Sequence, residues 1–332
     1  MLSEFDLIKH YFARPAATAA AALADPRIAL GIGDDCALLN PSPGMQLAVS
    51  SDMLVSGRHF FADADPFMLG HKCLAVNLSD LAAMGAKPLA FTLALSLPEA
   101  KAEWLAPFSA GLLALADRYQ CALIGGDTTK GPLNICITIF GEIPPGLALR
   151  RDAARVGDDI WVSGTLGDAR LALAGYWKEH PDVIRMEARE HVQAAQRMHQ
   201  PSPRIELGLA LRGIAHATLD ISDGLAGDLG HILERSGVGA SLQLDALPAG
   251  PILSTQAPDI RRRYTLSGGD DYELCFTAPA ENRAAVIAAG AASGTPVTRI
   301  GSIEQAAGLR LLDAAGQPVD MHIHSFDHFT TA

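Results

Sequence analysis

Aspartate beside glycine, serine or threonine recurs at six places in this chain. The segments are Gly31-Ile32-Gly33-Asp34-Asp35-Cys36-Ala37, Ser50-Ser51-Asp52, Asn77-Leu78-Ser79-Asp80, Gly125-Gly126-Asp127-Thr128-Thr129, Asp220-Ile221-Ser222-Asp223-Gly224 and Ser267-Gly268-Gly269-Asp270-Asp271. An isolated Asp-Gly is ordinarily a turn residue or a helix cap, and a cap-and-dipole role at the start of the next helix is enough to account for Asp223 alone. Asp80 resists that explanation, because it falls near the end of an apolar helical stretch, where an anion faces the unfavourable end of the helix dipole. Neighbouring carboxylates such as Asp34 and Asp35 repel unless something positive lies close by. The acids are all the shorter aspartate, which suits the rigid oxygen ligands that Mg²⁺ takes alongside water and substrate phosphates.

Familiar phosphate signatures are missing: there is no G-x-x-x-x-G-K-[ST], no G-x-G-x-x-G and no kinase catalytic loop. Gly125-Gly126-Asp127-Thr128-Thr129-Lys130-Gly131 has the residue types of a phosphate loop in an unfamiliar order. The chain carries a formal charge of −11. Phosphate-backbone binding needs clustered Lys and Arg, so nucleic acid is not an expected partner, and an anionic substrate would be attracted through bound cations. The one tight basic cluster, Arg261-Arg262-Arg263, reads as a solvated helix end.

The elements that must position the aspartates follow from the apolar periodicity. Residues 1–24 are expected to be helical. Gln46 to Ser50 reads as a strand that delivers Ser50-Ser51-Asp52 at its end. Asp65-Pro66 opens a helix to about Met84, with Leu74, Leu78 and Leu81 on one stripe and Asn77 and Asp80 on another. Phe91 to Leu97 is a strand, Glu103 to Tyr119 a helix, Ala122 to Ile124 a short strand ending at the glycines, and Leu133 to Ile143 a strand. Pro144-Pro145-Gly146 is the clearest break, dividing an N-terminal domain over 1–146 from a C-terminal domain over 147–332. Beyond it strands are expected at Asp159 to Ser163, Thr218 to Ile221, Leu242 to Leu247, Glu273 to Thr277, Val297 to Ile303 and Leu309 to Leu312. Helices are expected near Gly167 to Tyr176, Asp182 to His199 and Arg204 to Gly213, and after Gly224. Each half mixes the two element types, so the fold class is α/β or α+β in two domains.

At 332 residues and 49% hydrophobic composition the chain can fill two cores. Five scattered cysteines, Cys36, Cys73, Cys121, Cys136 and Cys275, form no C-x-x-C pair and fit a reducing cytoplasm. The start of the chain is amphipathic with early acids, unlike a signal peptide, and the most apolar window, Trp104 to Ala116, is too short to cross a bilayer.

Seven collinear motifs resemble the thiamine-monophosphate kinases, within the ATP-binding superfamily that includes aminoimidazole ribonucleotide synthetase and selenophosphate synthetase. They are GIGDDCALL (31–39), SSDMLVSGRHF (50–60), VNLSDLAAMGA (76–86), IGGDTTKGPL (124–133), DISDGLAGDLGHI (220–232), LSGGDDYELCFT (266–277) and FDHF (326–329), with SPR (202–204) among them. The resemblance implies ATP-dependent phosphorylation of thiamine monophosphate to thiamine diphosphate. It also implies a homodimer formed through the sheets of the N-terminal ATP- and metal-binding domains, with a C-terminal α/β domain completing the active-site cleft. Asp35, Ser50, Ser51, Asp52, Asp80, Asp127, Asp220 and Asp223 match the family's metal-binding positions. Gly126, Asp127, Arg151 and Ser222 match nucleotide contacts, and His59, Asp270 and Phe326 match positions that meet the thiamine phosphate. Two departures stand out: Asp270 is one methylene shorter than the family's frequent Glu, and Phe326 replaces a Tyr or Trp, keeping the ring without a hydrogen-bond donor.

Phosphoryl transfer is chiefly positioning and charge neutralisation. A phosphate-monoester acceptor, with a second pKa of about 6, needs no general base. Two polyanions brought to about 4 Å repel by roughly 4 kcal/mol per unit-charge pair at an effective dielectric of 20, which several Mg²⁺ ions would reverse. Lys130 and Arg151 are additional candidates for that work. Two alternatives stand beside this reading: another ATP-dependent enzyme of the superfamily, aminoimidazole ribonucleotide synthetase-like, or a non-catalytic metal-dependent nucleotide or thiamine-phosphate binding protein. Asp34 reads as a turn residue that aims Asp35.

Overall fold

A computed structural model describes residues 4–13, 25–180 and 182–321. The fold is mixed α/β in two units: one formed by the described residues up to Leu81 with Ala86–Gly146, the other by Ala82–Gly85 with the described residues from Leu147 onward.

In the first unit a four-stranded sheet has the order β3-β6-β4-β5. Its strands are β3 (Gln46–Val55), β4 (Lys87–Leu97), β5 (Ala122–Lys130) and β6 (Asn134–Ile143). β3 pairs antiparallel with β6 without interruption from Gln46↔Ile143 to Val55↔Asn134, while β4 and β5 run parallel. Helices α2 (Pro66–Ala83) and α3 (Ala102–Arg118) contribute Leu74, Leu78, Leu81, Phe108 and Leu112 to the core, which also buries Phe91, Leu95, Ile135 and Ile139 of the sheet. Pro66 takes the first position of α2, and Asp65 caps it by accepting the Met68 N–H at 2.9 Å.

Strand β5 corrects one expectation. It does not stop at Ile124 but continues through Gly125-Gly126-Asp127-Thr128-Thr129 to Lys130, so the supposed phosphate loop is an edge strand with a register irregularity opposite Phe91 and Thr92. Gly126 makes this possible: its φ is +146°, and a Cβ there would lie 1.9 Å from the Leu93 carbonyl oxygen.

At the N-terminal end, α1 (Glu4–Leu7) runs into a π-helical turn over Ile8–Phe12. Residues 14–24 of the expected first helix lie outside the described residues. A small hairpin of β1 (Ile28–Leu30) and β2 (Leu38–Leu39) carries the Gly31 to Ala37 turn. Ile28 seats it against Leu89, Ala90 and Ile124. Below the hairpin, Arg27 ties Asp25 at 2.5 Å and Glu142 at 2.8 Å, and Glu142 also accepts the Ser42 N–H.

The second unit holds a six-stranded sheet, order β12-β9-β11-β7-β10-β8, antiparallel except between β12 and β9. Its strands are β7 (Asp159–Ser163), β8 (Ala217–Asp220), β9 (Gly239–Gln243), β10 (Leu274–Ala278), β11 (Val297–Glu304) and β12 (Gly308–Leu312). The helices are α4 (Asp168–Trp177), α5 (Ala188–His199), α6 (Ile205–Ala210), α7 (Leu225–Ser236), α8 (Pro258–Ser267) and α9 (Arg283–Ala292). One buried cluster joins Ile160, Val162, Leu219, Ile221, Leu229, Ile232 and Leu242, and another joins Leu171, Ala194 and Tyr264. Helix α5 starts later than its polar pattern implies because Glu187 and Glu190 form a capping box at Ala188. The Arg261-Arg262-Arg263 run lies inside α8, where Arg262 grips Asp245 at 2.8 Å. Among the described residues, no helix is long and apolar enough to cross a membrane.

Replacing Asp65 with alanine is expected to cost about 1 kcal/mol through loss of the cap. That corresponds to a fall of roughly 2–4 °C in the thermal unfolding midpoint of a domain this size, measurable by calorimetry.

Candidate active site

Strand β3 has side chains on alternate faces, and this periodicity sorts its polar residues. Ser50 and Asp52 face α2. The Ser50 hydroxyl donates to the Asp80 carboxylate, and the Asp52 N–H donates to Asn77 Oδ1 at 3.3 Å. Asn77 is fully buried and donates its own Nδ2 to the Cys73 carbonyl at 2.9 Å, so it is fixed at both ends. The polar stripe of α2 thus meets the polar side of β3. Burial and the neighbouring Asp80 carboxylate push the Asp52 pKa up to about 7. Ser51 points the other way, with its hydroxyl 3.0 Å from Thr138 Oγ1 and 3.2 Å from the Ile137 carbonyl. The structure therefore brings Ser50, Asp52 and Asp80 together and separates the Ser51 side chain from them.

Of the other first-unit positions, Asp35 and Asp127 are exposed and His59 is half-buried. Asp35 is exposed in the hairpin turn, and the Asp34 carboxylate accepts its N–H at 2.9 Å, fixing the local turn. Asp127 is exposed on β5 next to Gly126. His59 follows β3 and accepts the Val55 N–H on Nδ1 at 3.0 Å. In the neutral ring the proton then sits on Nε2, which becomes a donor.

In the second unit β8 ends at the buried Asp220, and Ser222-Asp223-Gly224 turns the chain into α7. Asp228, in the first turn of α7, accepts the N–H groups of both Ser222 and Asp223, at 3.1 and 3.0 Å. Burial is the main cause that lifts its pKa to about 7, with the Asp223 charge adding to it. The Ser267 to Glu273 segment lies directly against this turn: Asp270 N–H donates to the Ser222 carbonyl at 2.9 Å and Tyr272 N–H to the Ile221 carbonyl at 2.8 Å. Gly269 permits the approach, since a Cβ there would sit 2.4 Å from the Ser222 oxygen. Asp270 and Tyr272 hold φ of 66° and 51°, left-handed conformations that cost non-glycine residues on the order of 1–3 kcal/mol each. Asp271 between them points inward, with both carboxylate oxygens 2.9 Å from the Gly167 N–H, and its pKa is raised well above the usual range by burial. Arg151 is exposed in a turn, its carbonyl accepting the Ser236 hydroxyl at 3.0 Å. Phe326 and the FDHF motif lie outside the described residues.

Among the described residues, no three His, Cys, Asp or Glu side chains form a ready-made metal cage. What exists is a close carboxylate pair on β3 and α2, with a hydroxyl beside it. That donor set fits Mg²⁺, which is commonly held by one or two carboxylates and completes its octahedron with water and substrate phosphate oxygens. Three structural partners lie within the quoted motifs, but no local pattern gives their roles: Asp228, an acid in the first turn of a helix, and the buried Glu273 with its arginine Arg204, 69 positions apart in the chain.

Residues 33–143 match the N-terminal domain of AIR synthase related protein and residues 155–313 its C-terminal domain. The two-unit fold is that of this class of protein. Over 99% of its length the chain is 46% identical to the thiamine-monophosphate kinase of Salmonella typhimurium, 98% of which is covered. A crystal structure of thiamine-monophosphate kinase from Stenotrophomonas maltophilia superposes with a TM-score of 0.83 at 48% identity, covering 89% of this chain and 94% of that one. A structure of AaThiL complexed with AMPPCP and TMP superposes with a TM-score of 0.74 at 30% identity, covering 99% of this chain and 97% of that one. The chain belongs to the thiamine-monophosphate kinase family.

The carboxylate pair makes a prediction about stability. Folded Asp52 holds its proton more tightly than the unfolded chain does, so its ionisation costs stability as pH rises from about 4 to about 7. In protein freed of metal, Asp52→Asn is expected to raise the unfolding midpoint at pH 8 by roughly 2–4 °C, taking about 1 kcal/mol after allowance for solvent screening. The gain should vanish near pH 4; a loss at pH 8 would show that the carboxylate is stabilising in place.

Proposed function

We propose that this chain transfers the γ-phosphoryl group of ATP to the phosphate of thiamine monophosphate, releasing thiamine diphosphate and ADP by in-line displacement. The observation that carries this reading is its likeness along 99% of its length to AaThiL, which binds AMPPCP and TMP in the solved complex. The named activity of relatives such as the Salmonella enzyme supports it further.

The acceptor phosphate is already largely ionised at neutral pH, so the residues at the site are needed for binding and orientation rather than proton abstraction. Asp52, Asp80, Ser50, Asp35 and Asp127 in the first unit, and Asp220 and Asp223 in the second, are the proposed Mg²⁺ ligands. Ser51, whose hydroxyl lies on the opposite face of β3, would contribute only main-chain oxygen. Bound Mg²⁺ supplies neutralisation of phosphate charge in an otherwise acidic protein. Gly126, Asp127, Arg151 and Ser222 are proposed to contact ATP. His59, through its Nε2–H, Asp270 and Phe326 are proposed to meet the thiamine phosphate. The hydrogen bond between Asp270 and the Ser222 carbonyl couples a proposed substrate contact to a proposed nucleotide contact.

A homodimer is proposed through the open face of the four-stranded sheet, where Leu47, Val49 and Met53 of β3 are 44%, 59% and 54% exposed. The cytoplasm is the proposed setting, supported by five unpaired cysteines.

Asp35→Asn and Asp127→Asn are each expected to lower turnover roughly 10²–10³-fold with unchanged unfolding midpoints, assayed as ADP release with thiamine monophosphate against other phosphate acceptors. Near wild-type rates in saturating Mg²⁺ would remove these residues from the metal set. Activity should disappear in excess EDTA. Binding of both substrates without ADP release would favour a sensor. By light scattering the particle mass is expected at twice the 34.9 kDa chain, and Val49→Arg should return it to one chain.

A further inference from the structure

Glu273 is fully buried at the entry to β10, yet it carries four polar contacts. Arg204 approaches it with a two-pronged fork, Nε on one carboxylate oxygen at 2.7 Å and Nη2 on the other. Arg197 on α5 donates to the same carboxylate at 2.7 Å, and Ser163 at the end of β7 donates its hydroxyl at 2.5 Å. The same Arg197 nitrogen also lies 3.1 Å from the Asp271 carbonyl. The space is filled: a Cβ on Gly164 would fall 2.1 Å from the Glu273 carboxylate.

This cluster sits immediately after the two left-handed residues, Asp270 and Tyr272. Strained backbone persists only where its surroundings over-determine it. Here the turn is held on one side by Asp271 on Gly167 and by the main-chain bonds to Ile221 and Ser222, and on the other by the two arginines on Glu273. Removing the fork leaves a buried carboxylate incompletely paired at the foot of a strained turn.

We propose that Arg204, with Arg197, is a positioning residue: by clamping Glu273 it fixes the Ser267 to Glu273 turn and so sets the pose of Asp270 toward the thiamine phosphate. The motif Ser202-Pro203-Arg204 thereby acquires a role at a distance from the reacting groups. The inference rests on the reading, made above, that Asp270 meets the substrate. Lysine cannot reproduce the planar fork, so Arg204→Lys keeps the charge while loosening the turn.

The test is a double-mutant cycle on the full-length protein, using Arg204→Lys, Asp270→Ala and the pair, with KM for thiamine monophosphate, kcat and the unfolding midpoint measured for each. Arg204→Lys alone is expected to raise that KM roughly ten- to a hundredfold, as misplacement of a binding group does. In the Asp270→Ala background the same change should shift it by less than about twofold, because groups acting through one another are non-additive. If Asp270→Ala leaves KM unchanged, the substrate-contact reading fails and the inference with it. If Asp270→Ala raises KM but the two effects multiply, or Arg204→Lys leaves KM unmoved, the reading survives and the positioning role is overturned. Should Arg204→Lys lose the native circular-dichroism signal, Arg197→Lys, which keeps Arg204 on Glu273, carries the same cycle with the same outcomes.

Discussion

Two like charges are held close together between β3 and α2. Asp52 is half-buried and feels the Asp80 charge, with the Ser50 hydroxyl on Asp80 and the Asn77 amide oxygen on the Asp52 N–H. Such a pair destabilises an isolated domain, and it persists because α2 and β3 are fixed by an apolar core that outweighs it, including Leu74, Leu78 and Leu81 on the helix. A bound cation would change the sign of that interaction, and substrate phosphates would then find counter-charge in a chain that carries a net −11. The proposed chemistry follows from this one constraint: with charge neutralisation supplied by carboxylates and metal, the site requires neither a P-loop lysine nor a general base.

The second unit solves a different problem, holding loops still. Asp228 gathers the Ser222 and Asp223 N–H groups, Asp271 takes the Gly167 N–H, and Glu273 takes two arginines. These three buried acids are spent on backbone or on an ion pair, whereas Asp220, Asp223 and Asp270 are the acids of this unit proposed to meet ligands. Within the pair Asp270-Asp271, the first residue is partly exposed and the second 1% exposed, so adjacent aspartates stand in opposite settings.

Much of this was legible in the residues themselves. The α2 helix reads from Asp65-Pro66 to its end near Gly85, with Asn77 and Asp80 on one stripe, because a cap, a proline and a 3.6-residue period are local signals. The mixed α/β class and the family are legible too. Other features depend on partners distant in the chain. Ser50, Ser51 and Asp52 look equivalent as a motif, but the strand continues to Val55 and its pleat sends Ser51 to the other face. Gly125-Gly126 reads as a turn, whereas pairing with β4 keeps it extended at the sheet edge. Helix α9 is rich in alanine and offers little amphipathic contrast, and α8 hides behind its three arginines. The Glu273 cluster joins residues 69 and 76 positions apart, a pairing that no local pattern encodes.

The most direct test of the carboxylate pair as a cation site is anomalous diffraction from crystals grown with Mn²⁺ and a non-hydrolysable ATP analogue. An anomalous peak within coordination distance of the Asp52 and Asp80 carboxylates is the expected result. Peaks confined to other parts of the molecule, with the Asp52 and Asp80 carboxylates bare, would contradict it.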